Sequence, residues 1–577
     1  MTDPTQARNL AETLATEKFV GLDLETTGLD PHKDRIRLVQ LSTNDQTWVI
    51  DALQVPVTEL RAVLEGGPIK IGHNLKFDWQ FLYEQGVRMQ PVFDTRLADQ
   101  VIHHRSYGRG LGGLAKDYLD MELPKELQTS DWSGELTQEQ LDYAARDAGV
   151  LPSLAKAIMN KARELELQKV IDLENQALPA VGWMKYQGVG FDLDAWNFLA
   201  DQAAARVKEL GATLEQLAFE STGLYSINWD SPKQVLEALK HLGVPVTNTR
   251  EESLQAHKDT HPIVPLLLDY REMSKHAGTY GADWLRHLNM ETGRIHPDWK
   301  QIGAETGRMA CADPNLQNIP RRPEYRACFT PGPGNVLIKA DYSQIEVIVA
   351  AEISNDARLL QGLVDRVDVH RLAAGLILGK VPEEVTDDER QIGKTLNFGL
   401  IYGMGPKSFA TQVHQRYSIE LTPEQAQEFI DKYFQSFAGL RDWRRQQGKQ
   451  TITRTLTGRW RDVAGKRQYT EALNTPIQGM AADGMKLALA ALWRAWTPEL
   501  AGCFPVACVH DDLIIEAPAL SAGAAQEWVV TAMKAGMGKL LKRAPVAVES
   551  AICQNYAGVP VATGQDFSDG QFIQEER

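Results

Sequence analysis

Apolar and polar residues alternate along residues 19–28, FVGLDLETTG, and two further apolar runs, RIRLVQLST and TWVIDA, follow after short polar breaks. Alternation of this kind predicts β-strands, so the chain is expected to begin with an antiparallel meander. The segments GHNLKFDWQFL and LTQEQLDYAARDAGVL have the spacing of helices instead, and Thr137 with Gln140 forms a capping box at the start of the second. These patterns together predict an N-terminal α/β domain.

The middle of the chain is patterned for helices. A long charged helix is expected to begin near residue 159 and to end at Gly188-Val189-Gly190, and Ser231 with Pro232 provides the cap and first position of a later helix. The basic side chains of this region suit either phosphate contacts or solvated helix faces; they are Lys233, Lys240, Arg250 and Lys258.

Strand patterns return in the C-terminal half. NVLIKADYSQIEVIVAAEIS predicts a strand that ends near Asp341 and a helix from about Gln344, and CFPVACVH and LIIEAP predict two strands joined across Asp511 and Asp512. The segment TGRMACADPNLQNIPRR is rich in Asn, Pro and Gly, and is expected to be irregular.

The segment 386–403, TDDERQIGKTLNFGLIYG, has the pattern of a capped helix. Thr386 with Glu389 forms a capping box. Behind it one cation or aromatic ring recurs every fourth residue, which makes a stripe about 18 Å long: Arg390, Lys394, Phe398 and Tyr402. Two cations followed by two rings suit the phosphates, sugar and base of a nucleoside triphosphate; the alternative is a surface helix with several long side chains.

The composition is that of a multidomain globular enzyme. The chain has 577 residues, of which 43% are hydrophobic and 24% charged, and it contains no apolar run long enough for a membrane span. Five scattered cysteines form neither a metal-ligand pair nor an even disulfide set, and the N-terminus has no export pattern, so we expect a cytoplasmic protein. The net charge of -15 does not exclude nucleic acid as a partner, since nucleic acid responds to the local field of a groove.

Four acids and a phenol in the N-terminal domain suggest phosphodiester hydrolysis. Asp23 and Glu25 are two apart on a predicted strand and point to one face, and Asp78, Tyr143 and Asp147 lie on predicted helices. Carboxylates that converge repel each other unless cations neutralise them, and all-oxygen ligands favour Mg²⁺ or Mn²⁺. Two such ions activate a water and stabilise a leaving oxygen, and Tyr143 would orient that water.

A second set of acids predicts phosphoryl transfer. Asp341 and Asp511 both stand at strand ends, and the helix with Arg390 and Lys394 lies between them in sequence. This arrangement suits a two-metal reaction in which one ion activates a primer 3′-hydroxyl and the other holds the triphosphate.

The motifs GLDLETTG, GHNLKFD and YAARD resemble the three motifs of the proofreading 3′–5′ exonucleases, in the branch with a tyrosine in its third motif. The resemblance implies a ribonuclease-H-like α/β domain over residues 1–168 that is catalytically intact. It assigns metal-binding roles to Asp23, Glu25, Asp78 and Asp147 and a catalytic role to Tyr143.

The remaining motifs, TGRMACADPNLQNIPRR, ADYSQIE, RQIGKTLNFGLIYG, NTPIQGMAAD and VHDD, resemble those of family A DNA polymerases in their usual order. The resemblance implies an α+β right hand over residues 169–577, with a thumb at about 190–300, fingers at about 355–465 and a palm from the remainder. The whole chain resembles the large fragment of the bacterial enzymes of this family, with the proofreading domain and without a 5′-nuclease domain.

The resemblance also assigns residues to the polymerase reaction. The catalytic set is Asp341, Asp511, Asp512 and Lys394, of which Asp341 and Asp511 are the metal ligands. Nucleotide binding falls to Arg390, Lys394, Phe398, Tyr402, His370, Glu346 and Gln344, with Glu346 excluding a 2′-hydroxyl. Contacts with the primer–template fall to Arg308, Arg322, Asn474, Gln478 and His510.

Two positions depart from the family pattern. Asp512 stands where glutamate is usual, and Thr470 stands where arginine is usual, which puts one minor-groove contact in doubt. The implied cofactors are two Mg²⁺ per active site, with Mn²⁺ as a substitute. The implied partners are primer–template DNA and deoxynucleoside triphosphates, with no membrane and a monomeric enzyme whose processivity partner is unknown.

Two other functions fit parts of the pattern. A single-subunit RNA polymerase shares the Asp, Lys, Tyr, Asp set, but Glu346 and the exonuclease motifs argue against it. A DNA-binding scaffold without synthesis is disfavoured by the two complete sets of acids.

Overall fold

A computed structural model describes residues 1–124, 130–223, 226–417 and 419–561. The N-terminal domain is built on a five-stranded sheet with the order β3-β2-β1-β4-β5. Its strands are β1 (Phe19–Thr26), β2 (Ile36–Ser42), β3 (Thr47–Asp51), β4 (Ile69–Gly72) and β5 (Val92–Asp94). Its helices are α1 (Pro4–Leu14), α2 (Arg61–Leu64), α3 (Lys76–Glu84), α4 (Thr95–Ile102), α5 (Leu111–Leu119) and α6 (Gln138–Glu164).

The predicted meander is confirmed, because β1 pairs antiparallel with β2 and β2 with β3. Two parallel strands, β4 and β5, extend the sheet on the other side of β1. Helix α6 lies directly over β1 at Gly21, where a Cβ atom would stand 3.0 Å from the carbonyl oxygen of Ala148. The same carbonyl accepts a 2.7 Å hydrogen bond from the Ser42 hydroxyl, so α6 is held close to the strand with the acidic pair.

A helical arm follows the first domain. Its elements are α7 (Gln168–Gln187), β6 (Val189–Phe191), α8 (Leu193–Thr222), α9 (Pro232–His241), α10 (Glu251–Gln255) and α11 (Ile263–Thr279). The predicted break at Gly188 and the Ser231 cap are confirmed. The single long helix expected from residue 159 is wrong: α6 ends at Glu164, Glu166 adopts a left-handed conformation with φ +59°, and α7 starts afresh. Leu167, the N-cap residue of α7, is fully buried at this break.

The next segment combines short strands with the central strand of a second sheet. It contains β7 (Leu288–Asn289), β8 (Arg294–Ile295), β9 (Asp298–Lys300), β10 (Ala310–Ala312), α12 (Pro323–Ala327), β11 (Phe329–Thr330) and β12 (Asn335–Tyr342). The segment 306–322 was expected to be irregular, and it is so except at β10, which pairs antiparallel with β9, and at a short 3-10 helix, Leu316–Asn318.

Helices dominate the region between residues 345 and 450. They are α13 (Ile345–Ser354), α14 (Ala357–Val364), α15 (Val369–Leu378), α16 (Asp387–Ile401), α17 (Pro406–Tyr417), α18 (Pro423–Ser436) and α19 (Ala438–Gln447). Both predicted capping boxes, at Thr137 and at Thr386, are present. Tyr402 is the C-cap of α16 and lies just outside the regular helix.

The chain then completes the second sheet. It forms β13 (Ile452–Arg454), β14 (Trp460–Asp462), α20 (Gln468–Ala495), β15 (Phe504–Val509), β16 (Asp512–Pro518), α21 (Ala522–Gly538) and β17 (Val548–Cys553). The sheet order is β15-β16-β12-β17 and all pairs are antiparallel. Helix α21 packs on one face, where the Tyr342 hydroxyl donates a 2.6 Å hydrogen bond to the Met533 carbonyl, and the opposite face is left for the site.

The first domain is attached to the rest of the chain by polar and aromatic contacts. The Arg88 guanidinium lies 4.1 Å from the ring centres of both Trp493 and Trp496. Lys76 on α3 donates to a carboxylate oxygen of Asp298 on β9 at 2.7 Å and to the Trp299 carbonyl at 2.6 Å. All five cysteines are in the described part of the chain and none forms a disulfide. No described helix combines the length and apolarity that a bilayer crossing requires.

The Asp298 contact predicts a pH-dependent stability. Burial alone would raise the pKa of Asp298, but Lys76 and Lys185 hold it at about 2, below its ordinary value. The stabilisation is therefore complete above pH 4 and is lost as the pH falls towards 2. We expect Asp298→Asn to lower the free energy of unfolding by about 1 kcal/mol at pH 6, after allowance for solvent screening. Thermal melts should show that the difference in melting temperature between variant and wild type disappears as the pH falls below 4. A difference in melting temperature that stays constant with pH, or an equal effect of the exposed control Asp283→Asn, would contradict this assignment.

Candidate catalytic sites

The acids of the first domain are brought together by the sheet and two helices. Asp23 and Glu25 lie on β1, Asp78 lies in the first turn of α3 and is buried, and Asp147 lies on α6. Tyr143, one turn before Asp147, is also buried. The structure thus gathers all five residues that the sequence predicted for this domain.

Electrostatics show how closely these acids are placed. Burial, followed by the charges of Asp78, Glu25 and Asp147, raises the pKa of Asp23 well above its usual range. Burial and the same neighbours raise the pKa of Glu25 to about 8, and burial raises that of Asp78 to about 8. Burial also raises the pKa of Tyr143, and its hydrogen bond with Asp147 adds to the shift. Buried acids that destabilise one another in this way fit a divalent cation, which removes the repulsion.

The loop before α3 is held in an unusual conformation. Asn74 has φ +64°, and its amide and that of Leu75 donate to the Asp94 carboxylate at 3.3 and 2.8 Å. The Asp94 amide in turn donates a 2.6 Å bond to the side chain of Asn175 on α7. The position of Asp78 therefore depends on α7, which lies outside the predicted domain.

The second site lies at one edge of the antiparallel sheet. Asp341, next to the end of β12, is directly opposite Asp512 on β16 and Glu549 on β17, so the three side chains share one face. Asp511 immediately precedes β16, and its carbonyl accepts a 3.4 Å hydrogen bond from the Tyr342 amide. The two acids that are far apart in the sequence are thus neighbours at the sheet edge.

These carboxylates also raise each other's pKa. Burial and the charges of Asp511, Asp512 and Glu549 raise the pKa of Asp341 to about 7. Burial raises the pKa values of Asp511 and Asp512 as well. The Oδ1 atom of Asp341 is buried and has no hydrogen-bond partner among the described residues. A buried carboxylate oxygen that lacks a hydrogen bond and lies beside other carboxylates costs free energy, and a bound cation would remove that cost.

The cation and ring stripe borders a cavity. Lys394, Phe398 and Tyr402 line an open space of about 580 Å³ together with Thr470. Arg390 is held beside it by Asp368, whose Oδ2 atom accepts a 2.6 Å hydrogen bond from the arginine Nε. The cavity is large enough for a nucleotide, with the exposed Lys394 at its rim.

His370 is fixed by contacts inside the same helix group. Asn397 donates from Nδ2 to the imidazole Nδ1 at 2.9 Å and to the Val369 carbonyl at 3.0 Å, and its Oδ1 accepts from the Tyr433 hydroxyl at 2.8 Å. These contacts orient the amide and place the imidazole proton on Nε2. Burial lowers the pKa of His370 to about 4, so the ring is neutral at pH 7 and its Nε2 is a hydrogen-bond donor.

Between the cavity and the sheet edge lies a polar group of three residues. The Arg308 Nη2 atom donates a 2.8 Å hydrogen bond to the Glu346 carboxylate in the first turn of α13. Burial and then the charge of Glu346 raise the pKa of Tyr402. Arg308 and Glu346, which the sequence assigned to DNA and to the sugar, are therefore in direct contact.

The other predicted nucleotide and DNA contacts lie around this group. Gln344 is the N-cap residue of α13 and has φ +56°. His510 is exposed and has φ +61°. Asn474 and Gln478 lie one turn apart on α20. Arg322 is farther out, on the surface, where it donates to Glu272 of α11 at 2.6 Å.

Three contributing residues were not identified from the sequence. Asp368 holds Arg390 and caps α15, and its position just before His370 in an N-cap pattern was the available signal. Asn397 lies one residue before Phe398 but on the buried side of α16. Glu549 is brought to Asp341 only by strand pairing, and no local pattern points to it.

The two sites differ from closed metal cages. Among residues 1–124, 130–223, 226–417 and 419–561, no three His, Cys, Asp or Glu side chains converge tightly enough to enclose a cation. Both donor sets consist of carboxylate oxygens, which fit Mg²⁺. Water or substrate oxygens would have to complete the coordination at each site.

Comparison with known proteins identifies the same two parts. Residues 198–558 match the model of DNA polymerase family A, and residues 1–163 match that of a 3′–5′ exonuclease. The DNA polymerase I of Aquifex aeolicus is 32% identical over 94% of this chain and 96% of its own length. That of Synechocystis is 31% identical over 78% of this chain and 49% of its own length.

A solved structure has the same fold along the chain. The POL domain of Pol1 from M. smegmatis, determined with DNA primer-template and dNTP, is 25% identical with a TM-score of 0.81 and covers 96% of this chain and 99% of that chain. The chain therefore belongs to DNA polymerase family A: it is a DNA-directed DNA polymerase that carries a 3′–5′ exonuclease domain. Within the family it is similar to the bacterial polymerases named above.

Proposed function

We propose that this enzyme extends a primer at the Asp341 and Asp511 site and removes mismatched 3′ ends at the Asp23, Glu25, Asp78 and Asp147 site. The observation that carries the proposal is the meeting of Asp341 and Asp511 at one sheet edge, with the nucleotide-sized cavity of α16 nearby. The primer–template DNA and dNTP in the solved relative support the same substrates here.

Two Mg²⁺ ions per site, replaceable by Mn²⁺, are the proposed cofactors. When bound, they neutralise the carboxylates, lower the pKa of an attacking hydroxyl and stabilise the leaving oxygen. In the polymerase site Asp341 and Asp511 would hold them, with Asp512 beside them. In the exonuclease site the four acids would do so.

The chain's own groups position the triphosphate. Arg390 and Lys394 supply positive charge at the phosphate end, and the neutral His370 offers its Nε2 hydrogen to a phosphate oxygen without competing for protons. Lys394 would also approach the leaving pyrophosphate. Asp368 holds the Arg390 guanidinium by a hydrogen bond before the substrate arrives, which reduces the ordering that binding requires.

Sugar and base are selected at the other end of α16. Phe398 would lie against the incoming nucleotide, Tyr402 beside the template base, and Glu346 where a ribose would carry its 2′-hydroxyl. Arg308, Asn474, Gln478, His510 and Arg322 are the proposed DNA contacts. Thr470 leaves the wall of the cavity without the long cation usual in the family, and its short side chain donates a 3.1 Å hydrogen bond to the Arg467 carbonyl.

In the exonuclease site Tyr143 would orient the attacking water. Its phenol is bonded to Asp147, and its raised pKa keeps it protonated, so it acts as a hydrogen-bonding group and not as a base. The carboxylates on β1 are the first candidates for holding the cation nearest that water.

The test is one set of primer assays. A labelled primer–template is incubated with deoxynucleotides or without them, each with Mg²⁺ and with a chelator. We expect extension in the first case and 3′–5′ shortening in the second, and neither in chelator. Incorporation of ribonucleotides as efficient as that of deoxynucleotides would favour an RNA polymerase and would overturn the proposal.

The remaining predictions about the whole enzyme stay proposals. They are a monomer in the cytoplasm, a thumb at about 190–300, fingers at about 355–465 and a boundary between the domains near residue 168.

Replacement of Phe398 by tyrosine is expected to make extension easier to terminate with dideoxynucleotides. The added phenol can hydrogen-bond to the charged nucleotide in place of the missing 3′-hydroxyl, and a bond to a charged group contributes about 1.5–3 kcal/mol. The ratio of dideoxy to deoxy incorporation should rise at least about tenfold. The control is Phe409→Tyr on α17, a fully buried ring outside the cavity. An unchanged termination ratio for Phe398→Tyr would contradict the proposal that this ring lies against the incoming nucleotide.

A further inference from the structure

Four charged side chains are buried beneath the polymerase site. Glu174 on α7 and Asp483 and Lys486 on α20 are fully buried, and Arg459, just before β14, is 6% exposed. Arg459 binds Glu174 Oε1 at 2.5 Å and Asp483 Oδ1 at 2.7 Å, and Lys486 Nζ binds the same Glu174 oxygen at 2.5 Å. We call these four residues the buried ion network; its two acids and two cations balance in charge.

The cost of burying four charges suggests a role other than stability. Apolar residues of similar volume usually stabilise a core as well as a buried ion network or better. What charges provide instead is direction, since each hydrogen bond requires a particular geometry. The buried ion network can therefore fix the position of a backbone segment that it contacts.

The segment that the network contacts is the turn formed by residues 303–308. Lys486 Nζ donates a 2.8 Å hydrogen bond to the carbonyl of Gly307, so that this cation ties the turn to the network. Gly307 has φ +86°, and a Cβ atom there would lie 2.7 Å from the Arg459 Nε. Only glycine permits the turn to lie against the arginine in this conformation.

The turn ends at the residue that contacts Glu346. The carbonyl of Arg308 accepts hydrogen bonds from the amides of Gly303 at 3.0 Å and Ala304 at 3.1 Å, and its side chain donates to Glu346 at 2.8 Å. A continuous series of contacts thus joins Lys486, Gly307, Arg308 and Glu346.

We infer that Lys486 and the buried ion network are positioning elements for Arg308, and that through Arg308 they set the strictness of sugar selection at Glu346. Lys486 touches neither nucleotide nor metal. It acts by fixing the Gly307 carbonyl, which determines where the Arg308 guanidinium meets the Glu346 carboxylate. The inference rests on the roles proposed above for Arg308 and Glu346.

The decisive variant is Lys486→Met, which keeps the length of the side chain and removes the donor. The measurement is the ratio of kcat/KM for a deoxynucleotide to that for the matching ribonucleotide, on one primer–template. We expect this ratio to fall about tenfold or more, since misplacement of a positioned group by about 1 Å can cost up to a hundredfold. Degradation of single-stranded DNA by the exonuclease site should stay within about twofold.

Arg494→Met is the matched control. Arg494 also lies on α20 and also contacts α7, where it donates a 2.8 Å hydrogen bond to Gln176, but it does not approach the turn. If Lys486 merely joins the two helices, both variants will behave alike, and that outcome overturns the inference.

A double-mutant cycle locates the effect. Lys486→Met added to Arg308→Ala should lower the selection ratio no further than Arg308→Ala alone, because both changes act through the same side chain. Additive losses would overturn the inference. If Arg308→Ala keeps the wild-type ratio, the proposed role of Arg308 fails; if only Lys486→Met keeps it, the role of Arg308 stands and this inference fails.

A variant that restores the charge balance distinguishes a folding defect from the loss of the hydrogen bond to Gly307. Lys486→Met leaves the network with one excess negative charge, and Glu174→Gln with Lys486→Met restores neutrality. If the single variant does not fold, the double variant is assayed instead. It should still show the lowered ratio because the Gly307 carbonyl lacks its donor, whereas a wild-type ratio would show that only charge balance mattered.

Discussion

Replacement of Asp341 by asparagine is expected to reduce primer extension by about a thousandfold or more. The carboxylate stands between Asp512 and Glu549 on neighbouring strands, and its buried Oδ1 atom has no hydrogen-bond partner within the described part of the chain. An amide has no charge for a cation, and the transition-state stabilisation that a metal contributes amounts to several kcal/mol, which corresponds to about three orders of magnitude in rate. The measurement is single-nucleotide incorporation under saturating substrate.

The same variant should fold at least as well as the wild type. Burial, and then repulsion by the charges of Asp511, Asp512 and Glu549, raises the pKa of Asp341 to about 7, so the metal-free protein loses stability as the pH rises from about 4 to 7 and does not regain it above pH 7. Asparagine removes this repulsion, and the thermal midpoint at pH 8 in chelator should not fall. Lys339→Met, on the same face of β12 two residues earlier, is the control and should extend primers normally. Extension by Asp341→Asn at more than a tenth of the wild-type rate would contradict the assignment.

Replacement of Asp23 by alanine is expected to abolish 3′–5′ degradation, by about a thousandfold, and to leave primer extension unchanged. Asp23 lies on the central strand β1 and is affected by the charges of all three other acids. Its loss would remove one of the four acids proposed to hold the cations. Degradation of a labelled single strand and extension of a matched primer are measured on the same preparation.

The two variants form a reciprocal pair. Asp341→Asn should keep degradation and Asp23→Ala should keep extension, because Asp23 and Asp341 lie on separate sheets. Asp142→Ala is the control for the first domain, since Asp142 lies on the exposed side of α6 next to Tyr143 and bonds only to Gln138 among its described contacts. Loss of both activities in Asp23→Ala would refute the model of two independent sites.

Local patterns were sufficient for much of the structure. The alternation in FVGLDLETTG predicted β1, the capping boxes at Thr137 and Thr386 located the starts of α6 and α16, and the strand end near Asp341 was found within a residue or two. These features depend on hydrogen bonds between residues close in sequence. The family resemblance, carried by long motifs, was also readable without coordinates and is confirmed.

Other features are absent from any local pattern. The break between α6 and α7 falls in a stretch without glycine or proline, and only the structure shows that Leu167 is buried there. Glu549 reaches Asp341 through strand register, and Asp94 depends on Asn175 of a different domain.

The residue types and spacings of the motifs alone specified the chemistry: two sets of carboxylates, a stripe of cations and rings, and the elements that carry them. The tertiary structure decided which groups meet. It placed Arg308 against Glu346, neutralised His370 by burial, and set the turn of residues 303–308 on the buried ion network. The physical reason is the separation along the chain of the residues that interact. Capping and alternation act over a few residues, whereas the pKa shifts and hydrogen bonds of a site depend on side chains that only the packed fold brings within a few ångströms.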